Sequence, residues 1–133
     1  MKIPPLEVSF QDESRYLLVT ARGKFETLAI SEALRQIRAK AQQTQHSRIL
    51  IDAYNLSLPE TDFDRFLVGQ LFAEQLPVPL KVAVVYKQEW ITKFTENTAV
   101  NRGATLFVCG DKAEALRWLL EVPCNQTMRN DKQ

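Results

Sequence analysis

The chain has 133 residues, of which 45% are hydrophobic and 25% are charged. This composition excludes a disordered chain, a collagen-like repeat and a coiled coil, and the length suits one domain. Seventeen basic residues against 16 acidic ones give a net charge of +1, so bulk charge does not indicate a nucleic-acid-binding protein.

The N-terminal part of the chain predicts a β-hairpin followed by a helix. Leu6, Val8 and Phe10 alternate with polar residues, as in a half-buried strand, and residues 16–21 form a second apolar run. Apolar residues then follow helical spacing over about 27–43. We therefore expect two antiparallel strands and then a helix.

The middle of the chain predicts strands that alternate with helices. Residues 48–52 form a short apolar run, which is typical of parallel sheets covered on both faces. Thr61 and Asp64 form a variant of the capping box, which predicts a helix that ends near residue 75. The apolar run at 80–86 is the strongest strand candidate in the chain.

The last third of the sequence completes the pattern. A helix is expected over about 88–101, a strand over 105–109, and a helix that begins after Asp111. The predicted order is ββαβαβαβα, with a five-stranded mixed, mostly parallel sheet flanked by helices and the first strand antiparallel at or near an edge. We assign residues 1–123 to this α/β domain and 124–133 to a polar C-terminal tail.

The cysteines and the apolar runs predict the compartment. Cys109 and Cys124 do not match the spacing of a zinc site, and a domain of this size does not need a disulfide. The first residues lack the apolar core of a signal peptide, and no apolar run approaches the roughly 20 residues that span a bilayer. We expect two free thiols, no transmembrane segment and a cytoplasmic location.

Ligands of open α/β sheets bind beyond the carboxyl ends of the strands, and this rule selects the candidate site. Asp52 could bind a partner or a cation there, or accept hydrogen bonds from backbone N–H groups of the next loop. Trp90 could line the mouth of a pocket, or begin the buried face of its own helix. The candidate ligand-binding residues are Asp52, Tyr54, Asn55, Phe66, Phe72, Tyr86 and Trp90.

The helix expected over 62–75 is apolar around much of its circumference. A helix of this kind is either buried or covers something, and a small domain can bury only one of its faces. The surplus could meet a second subunit, a partner or an acyl chain, or it could be a few scattered exposed residues.

Motifs of enzymes are absent from the sequence. The four glycines stand apart, so no phosphate-binding loop is formed, and no serine lies in a Gly-x-Ser-x-Gly elbow. His46 is expected at the surface, far from Cys109, because the two residues flank opposite ends of parallel strands. We therefore predict no catalytic residue, no cofactor and no metal; the enzymatic alternative is a divalent cation held by Asp52, Asp62 and Asp64.

Several stretches resemble the SpoIIAA-like family of stand-alone STAS domains (sulfate transporter and anti-sigma factor antagonist). They are the strand at 49–52, the strand at 81–86 followed by Trp90, and the closing stretch from Asn101-Arg102-Gly103 through Phe107 and Asp111 to 114–119. The resemblance covers about 6–121. It implies a small cytoplasmic bacterial domain with the fold of the CRAL-TRIO lipid-binding domains, and a lipid-like ligand in an apolar cleft.

The resemblance has one clear departure. Anti-sigma factor antagonists of this family carry an Asp-Ser-Ser-Gly type motif at the start of the second helix, where a kinase phosphorylates one serine. The corresponding stretch here reads Leu-Pro-Glu-Thr-Asp-Phe-Asp over 58–64, with Thr61 as its only hydroxyl. A phosphoserine switch of that kind is therefore not expected.

Two functional hypotheses follow. The first is a non-enzymatic binding domain with an apolar or lipid-like ligand in a cleft at the carboxyl ends of the strands. The alternative is a STAS-type regulatory module that binds a protein partner, or a homodimer formed through the helix at 62–75. Neither hypothesis involves nucleic acid.

Overall fold

The computed structural model describes residues 5–57, 61–87 and 94–121. In these ranges the chain forms five strands and four helices in the predicted order ββαβαβαβα. They are β1 (Glu7–Asp12), β2 (Leu17–Gly23), α1 (Thr27–Thr44), β3 (Arg48–Leu56), α2 (Asp62–Gln75), β4 (Lys81–Val85), α3 (Phe94–Asn101), β5 (Thr105–Cys109) and α4 (Lys112–Leu120).

The five strands form one mixed sheet in the order β1-β2-β3-β4-β5. β1 pairs with β2 in antiparallel orientation, and every other neighbouring pair is parallel. The predicted sheet and the antiparallel first strand at its edge are both confirmed. Because β2 to β5 are parallel, their carboxyl ends meet at one edge of the sheet, where the connections to α1, α2 and α4 begin.

The helices cover the two faces of the sheet unequally. α1, α2 and α3 pack beside one another on one face, and α4 packs over β3, β4 and β5 on the other. The side chains of each strand alternate between the two faces, so the sheet contributes to two cores. The larger core, under α1 to α3, includes Leu17, Val19, Ile49, Ile51, Val82 and Leu106, and the smaller one, under α4, includes Leu50, Ala83, Val85, Cys109, Ala115 and Leu119.

The predicted capping box of α2 is present, and α4 is capped by Asp111, after which the sequence predicts its start. The Thr61 hydroxyl accepts a hydrogen bond of 3.0 Å from the Asp64 backbone N–H, and the Asp64 carboxylate accepts one of 3.2 Å from the Thr61 N–H. The Asp111 carboxylate accepts a bond of 3.1 Å from the N–H of Glu114. These bonds satisfy N–H groups that have no partner within the helix, which fixes where both helices begin.

β3 is longer than the sequence indicates, because it continues from Asp52 to Leu56. Its carboxyl half pairs with the end of β2, where Arg22 lies beside Asn55 and Gly23 beside Leu56, after a register shift. The expected start of the third helix at about 88, Trp90, and the tail with Cys124 lie outside the described residues.

His46 has intermediate burial, so its side chain is more covered than the surface position expected from the sequence suggests. Its side chain is 13% exposed, and its Nε2 lies 2.6 Å from Oδ1 of Asp12. The turn between α1 and β3 passes beside the end of β1, so a contact between distant parts of the chain covers the ring. His46 remains at the amino edge of the sheet, whereas Cys109 ends β5 at the carboxyl edge, as expected.

Candidate functional site

Ser57 links three elements at the carboxyl edge of the sheet. Its N–H donates a hydrogen bond of 2.9 Å to the Gly23 carbonyl, and its hydroxyl accepts one of 2.7 Å from the Phe25 N–H. Its carbonyl accepts a bond of 2.9 Å from the Tyr86 hydroxyl. The connections that follow β2, β3 and β4 are therefore held together at one residue. Ser57 was not among the candidate site residues, and only its place directly after a strand could have suggested it.

Tyr86 is half-buried, and its hydroxyl acts as a donor. Burial raises the pKa of this phenol to about 12, and the positive charge of Arg65 opposes part of the increase. The group therefore stays protonated throughout the physiological range. The ring packs against the larger core while the hydroxyl holds Ser57, so Tyr86 positions the edge of the site.

Asp52 and Tyr54 lie on the part of β3 that approaches this edge. The Asp52 carboxylate accepts a hydrogen bond of 3.2 Å from the Tyr54 N–H, which is the local role that the sequence offered as an alternative to partner or cation binding. The Tyr54 carbonyl accepts a bond of 3.0 Å from Lys87 Nζ, which also lies 5.0 Å from the centre of the Tyr54 ring. Asn55 is exposed beside Tyr54.

The aromatic residues of α2 have three different environments. Phe72 is 8% exposed and belongs to the larger core, whereas Phe63 is 66% exposed. Phe66 is half-buried, with the Arg102 guanidinium 5.2 Å from the centre of its ring. The neighbours α1 and α3 thus cover much of the apolar circumference of α2. What remains uncovered is concentrated in its first turn.

Three of the five large hydrophobic side chains that are exposed among the described residues lie at the carboxyl edge. Leu28 in the first turn of α1 is 86% exposed, Phe63 in the first turn of α2 is 66% exposed, and Tyr54 near the end of β3 is 45% exposed. Both helices follow adjacent parallel strands, so their first turns lie at the same edge. We call Leu28, Tyr54, Asn55 and Phe63 the carboxyl-edge surface.

The described part of the chain shows neither a cluster of metal-binding side chains nor a helix that could span a membrane. Among the side chains that the structure describes, which do not include that of Asp62, no group of three or more His, Cys, Asp or Glu is placed to share a metal ion. Over the same residues, no helix has the length and apolar character needed to cross a bilayer.

Comparison with known proteins gives likeness in structure alone. No family model matches the chain, and no curated protein matches it in sequence. An anti-sigma factor antagonist from Mycobacterium paratuberculosis superposes with a TM-score of 0.62 at 14% identity, over 91% of this chain and 100% of that one. An uncharacterized protein with a SpoIIAA-like fold from Shewanella loihica PV-4 gives a TM-score of 0.50 at 18% identity, over 88% and 94%. The chain thus has the SpoIIAA-like fold that the sequence resemblance implied.

Proposed function

We propose that this chain is a non-catalytic, STAS-type binding domain that engages a protein partner through the carboxyl-edge surface. The observation that carries the proposal is the exposure of Leu28, Phe63 and Tyr54 at one edge of the sheet. Exposed apolar side chains that are grouped rather than scattered mark interaction sites, and aromatic residues are enriched at the centres of interfaces. Lys87 and Asn55 supply polar groups beside them.

The solved structures support a protein as the partner. The name of the mycobacterial neighbour describes an antagonist of an anti-sigma factor, which is itself a protein. From this neighbour we carry over to the present chain only the class of partner, a protein. We do not carry over a phosphoserine switch, because the Thr61 hydroxyl accepts a hydrogen bond from the Asp64 N–H as a helix cap. We place the interaction in the bacterial cytoplasm, since both neighbours come from bacteria.

A rigid arrangement of the backbone suits this role. Ser57 bonds to the segments that precede α1 and follow β4, so the carboxyl ends of β2, β3 and β4 are held relative to one another. Side chains on a fixed framework lose little conformational freedom when a partner binds, which favours affinity. The backbone under the carboxyl-edge surface therefore needs little rearrangement when a partner binds.

A second candidate is an apolar or lipid-like ligand bound at the same edge. The exposed Phe63 close to the half-buried Phe66 in α2 favours it, because an acyl chain could cover both. A role for Phe72 would require a cleft that opens into the larger core, since this side chain is buried there. The residues proposed for this candidate are Asp52, Tyr54, Asn55, Phe66, Phe72, Tyr86 and Trp90.

Affinity capture with matched variants tests the proposal. The wild-type protein, the double variant Leu28→Ser/Phe63→Ser and the control Val100→Ser would be immobilised and exposed to a lysate of the source organism. Val100 is 48% exposed in the last turn of α3, at the opposite edge of the sheet. Its substitution therefore also removes an exposed apolar side chain, but one that lies outside the carboxyl-edge surface. We expect proteins that the wild type and the control retain and the double variant loses.

Two results would contradict the proposal. Equal capture by all three proteins would show that the carboxyl-edge surface is not used. Native mass spectrometry of the freshly purified wild type separates the two candidates, because a bound lipid adds mass that denaturing conditions release. A released lipid that is missing from the double variant, together with no selective protein capture, would establish the second candidate.

A further inference from the structure

The two edge strands of the sheet differ in how their outward-facing backbone groups are bonded. At the β5 edge, the Glu96 carboxylate on α3 accepts a hydrogen bond of 2.6 Å from the outward-facing N–H of Val108. At the other edge, β1 pairs with β2 alone within the described part of the chain. An edge strand with open backbone groups is a template for pairing with another strand. The β1 edge is therefore the edge at which a further strand could pair with the sheet.

The hydrogen bonds show which backbone groups of β1 point outward. The Glu13 N–H donates to the Tyr16 carbonyl at 3.0 Å, so the backbone of Glu13 faces β2. Alternation along an antiparallel pair then turns the N–H and C=O groups of Val8, Phe10 and Asp12 away from β2. The side chains of Val8 and Phe10 pack against the larger core, and Glu7, Ser9 and Gln11 lie on the opposite face of the sheet.

A groove borders this edge. It has a volume of about 490 Å³ and runs along β1 beside the first half of α1. Leu6, Val8, Ala29, Glu32, Ala33 and Gln36 line it, and Glu7, Ser9, Thr20 and Arg22 of the two paired strands complete the lining. Small side chains at Ala29 and Ala33 let another element come close to the helix here. A strand added to β1 would place its apolar side chains over this groove.

We propose that the added strand is β1 of a second copy of this chain, paired antiparallel about a twofold axis at Ser9. In this register Val8 lies opposite Phe10 of the second copy and exchanges backbone hydrogen bonds with it. Ser9 lies opposite Ser9, and Glu7 lies opposite Gln11. Apolar residues thus face apolar residues on one side of the sheet, and polar residues face polar residues on the other.

Charge complementarity on α1 supports the same register. Glu32, which pairs with Arg35 of the same helix, lines the groove together with Val8, while Lys40 Nζ lies 6.0 Å from the centre of the Phe10 ring. The twofold axis that places Val8 opposite Phe10 of the second copy also places Glu32 near Lys40 of the second copy. Because of the symmetry, each dimer contains this charge pair twice.

Two other symmetric registers neighbour this one. The register with Phe10 opposite Phe10 would set Glu7 against Glu13 and is disfavoured by like charges. The register with Val8 opposite Val8 would pair β1 with β1 only over residues 7–9, because Phe10 would then face Leu6, which precedes the strand.

The proposed dimer leaves the carboxyl-edge surface free. Its twofold axis is perpendicular to the sheet, so the five strands of each copy join into one sheet of ten, with α1 to α3 of both copies on the same face. The carboxyl edges of the two copies then point in opposite directions. The α2 helix, suggested by the sequence as a dimer interface, takes no part.

The oligomeric state and its response to charge test the proposal. We expect the wild type to show twice the chain mass of 15.3 kDa in light scattering and sedimentation at submillimolar concentration. Ser9→Lys brings two like charges together at the axis and should give the monomer mass, whereas the exposed control Ser47→Lys should remain a dimer. A monomeric wild type, or a dimer that Ser9→Lys does not weaken, would overturn the proposal.

A charge exchange tests the register without disturbing the strand. Glu32→Lys alone should raise the dissociation constant of the dimer by about tenfold, and adding Lys40→Glu should restore it. Loss without restoration would overturn the register. In the wild type, the outward amides of Val8 and Phe10 should exchange hydrogen more slowly as the concentration rises, whereas the Ser9 amide, which faces β2, should not change.

Discussion

The Tyr86 hydroxyl donates a hydrogen bond of 2.9 Å to the carbonyl of Ser57, a residue 29 positions earlier in the chain. This bond crosses the carboxyl edge of the sheet and links the end of β4 to the segment between β3 and α2. Because Ser57 is also bonded to Gly23 and Phe25, the Tyr86 bond completes a connection across three neighbouring strands. The carboxyl-edge surface is built on this connection.

Replacing Tyr86 by phenylalanine removes the donor and keeps the ring. The Ser57 carbonyl, which is half-buried, then loses one partner, so we expect the free energy of unfolding to fall by about 1–2 kcal/mol. Urea denaturation followed by circular dichroism measures the change. Tyr54→Phe is the matched control, because its ring is 45% exposed, and it should change stability by less than about 0.5 kcal/mol. Equal effects of the two substitutions would contradict the structural role of Tyr86.

Tyr86 also predicts how stability depends on alkaline pH. Its pKa is raised to about 12 in the folded protein, above the value of about 10 that is usual for tyrosine. Between these two values the unfolded chain releases a proton that the folded protein keeps, so the free energy of unfolding must fall as the pH rises. Burial also raises the pKa of Tyr16, so the wild type loses stability through both phenols.

The contribution of Tyr86 can be isolated. We expect the unfolding free energy of Tyr86→Phe to fall less steeply with pH than that of the wild type, in chemical denaturation series above pH 10. An ultraviolet titration of the folded wild type should show one phenol that ionises near pH 12 and is missing from the variant. Identical slopes for the two proteins would indicate that the Tyr86 hydroxyl is not buried as described.

The two ends of α2 should respond differently to truncation. Phe72 is buried in the larger core, so Phe72→Ala should lower the free energy of unfolding by about 3–5 kcal/mol. Phe63 is 66% exposed, so Phe63→Ala should change it by about 0.5 kcal/mol or less. Guanidinium denaturation of both variants measures the contrast. A small effect at Phe72 would favour a cleft over a packed core and would revive its role in ligand binding.

The elements that could be predicted from the sequence are those with local signals. The capping box of Thr61 and Asp64 lies within four residues, and it located the start of α2 correctly. The continuation of β3 to Leu56 had no such signal, because residues 53–56 alternate weakly and are held as a strand by β2. The contact that partly covers His46 comes from Asp12, 34 positions earlier, so the polar residues around His46 gave no sign of it.

The candidate site divides in the same way. The hydrogen bond from the Tyr54 N–H to Asp52 spans two residues and was anticipated as one of two alternatives. The role of Ser57 was missed, because its partners Gly23, Phe25 and Tyr86 are all about 30 positions away and only the folded sheet brings them together. A sequence pattern can indicate which edge of the sheet matters, but long-range contacts determine which residues organise that edge.

The hydrogen bond between Glu96 and Val108 predicts what protects the β5 edge. Glu96→Ala removes the carboxylate that lies 2.6 Å from the Val108 N–H, and a charge-assisted bond of this kind contributes about 1.5–3 kcal/mol. We therefore expect a loss of stability of that size, together with concentration-dependent aggregation as the edge becomes available for pairing. Glu96→Gln keeps an acceptor oxygen and should retain most of the stability and the solubility. Denaturation and light scattering of both variants provide the measurement, and an alanine variant as stable and soluble as the wild type would show that α3 does not guard this edge.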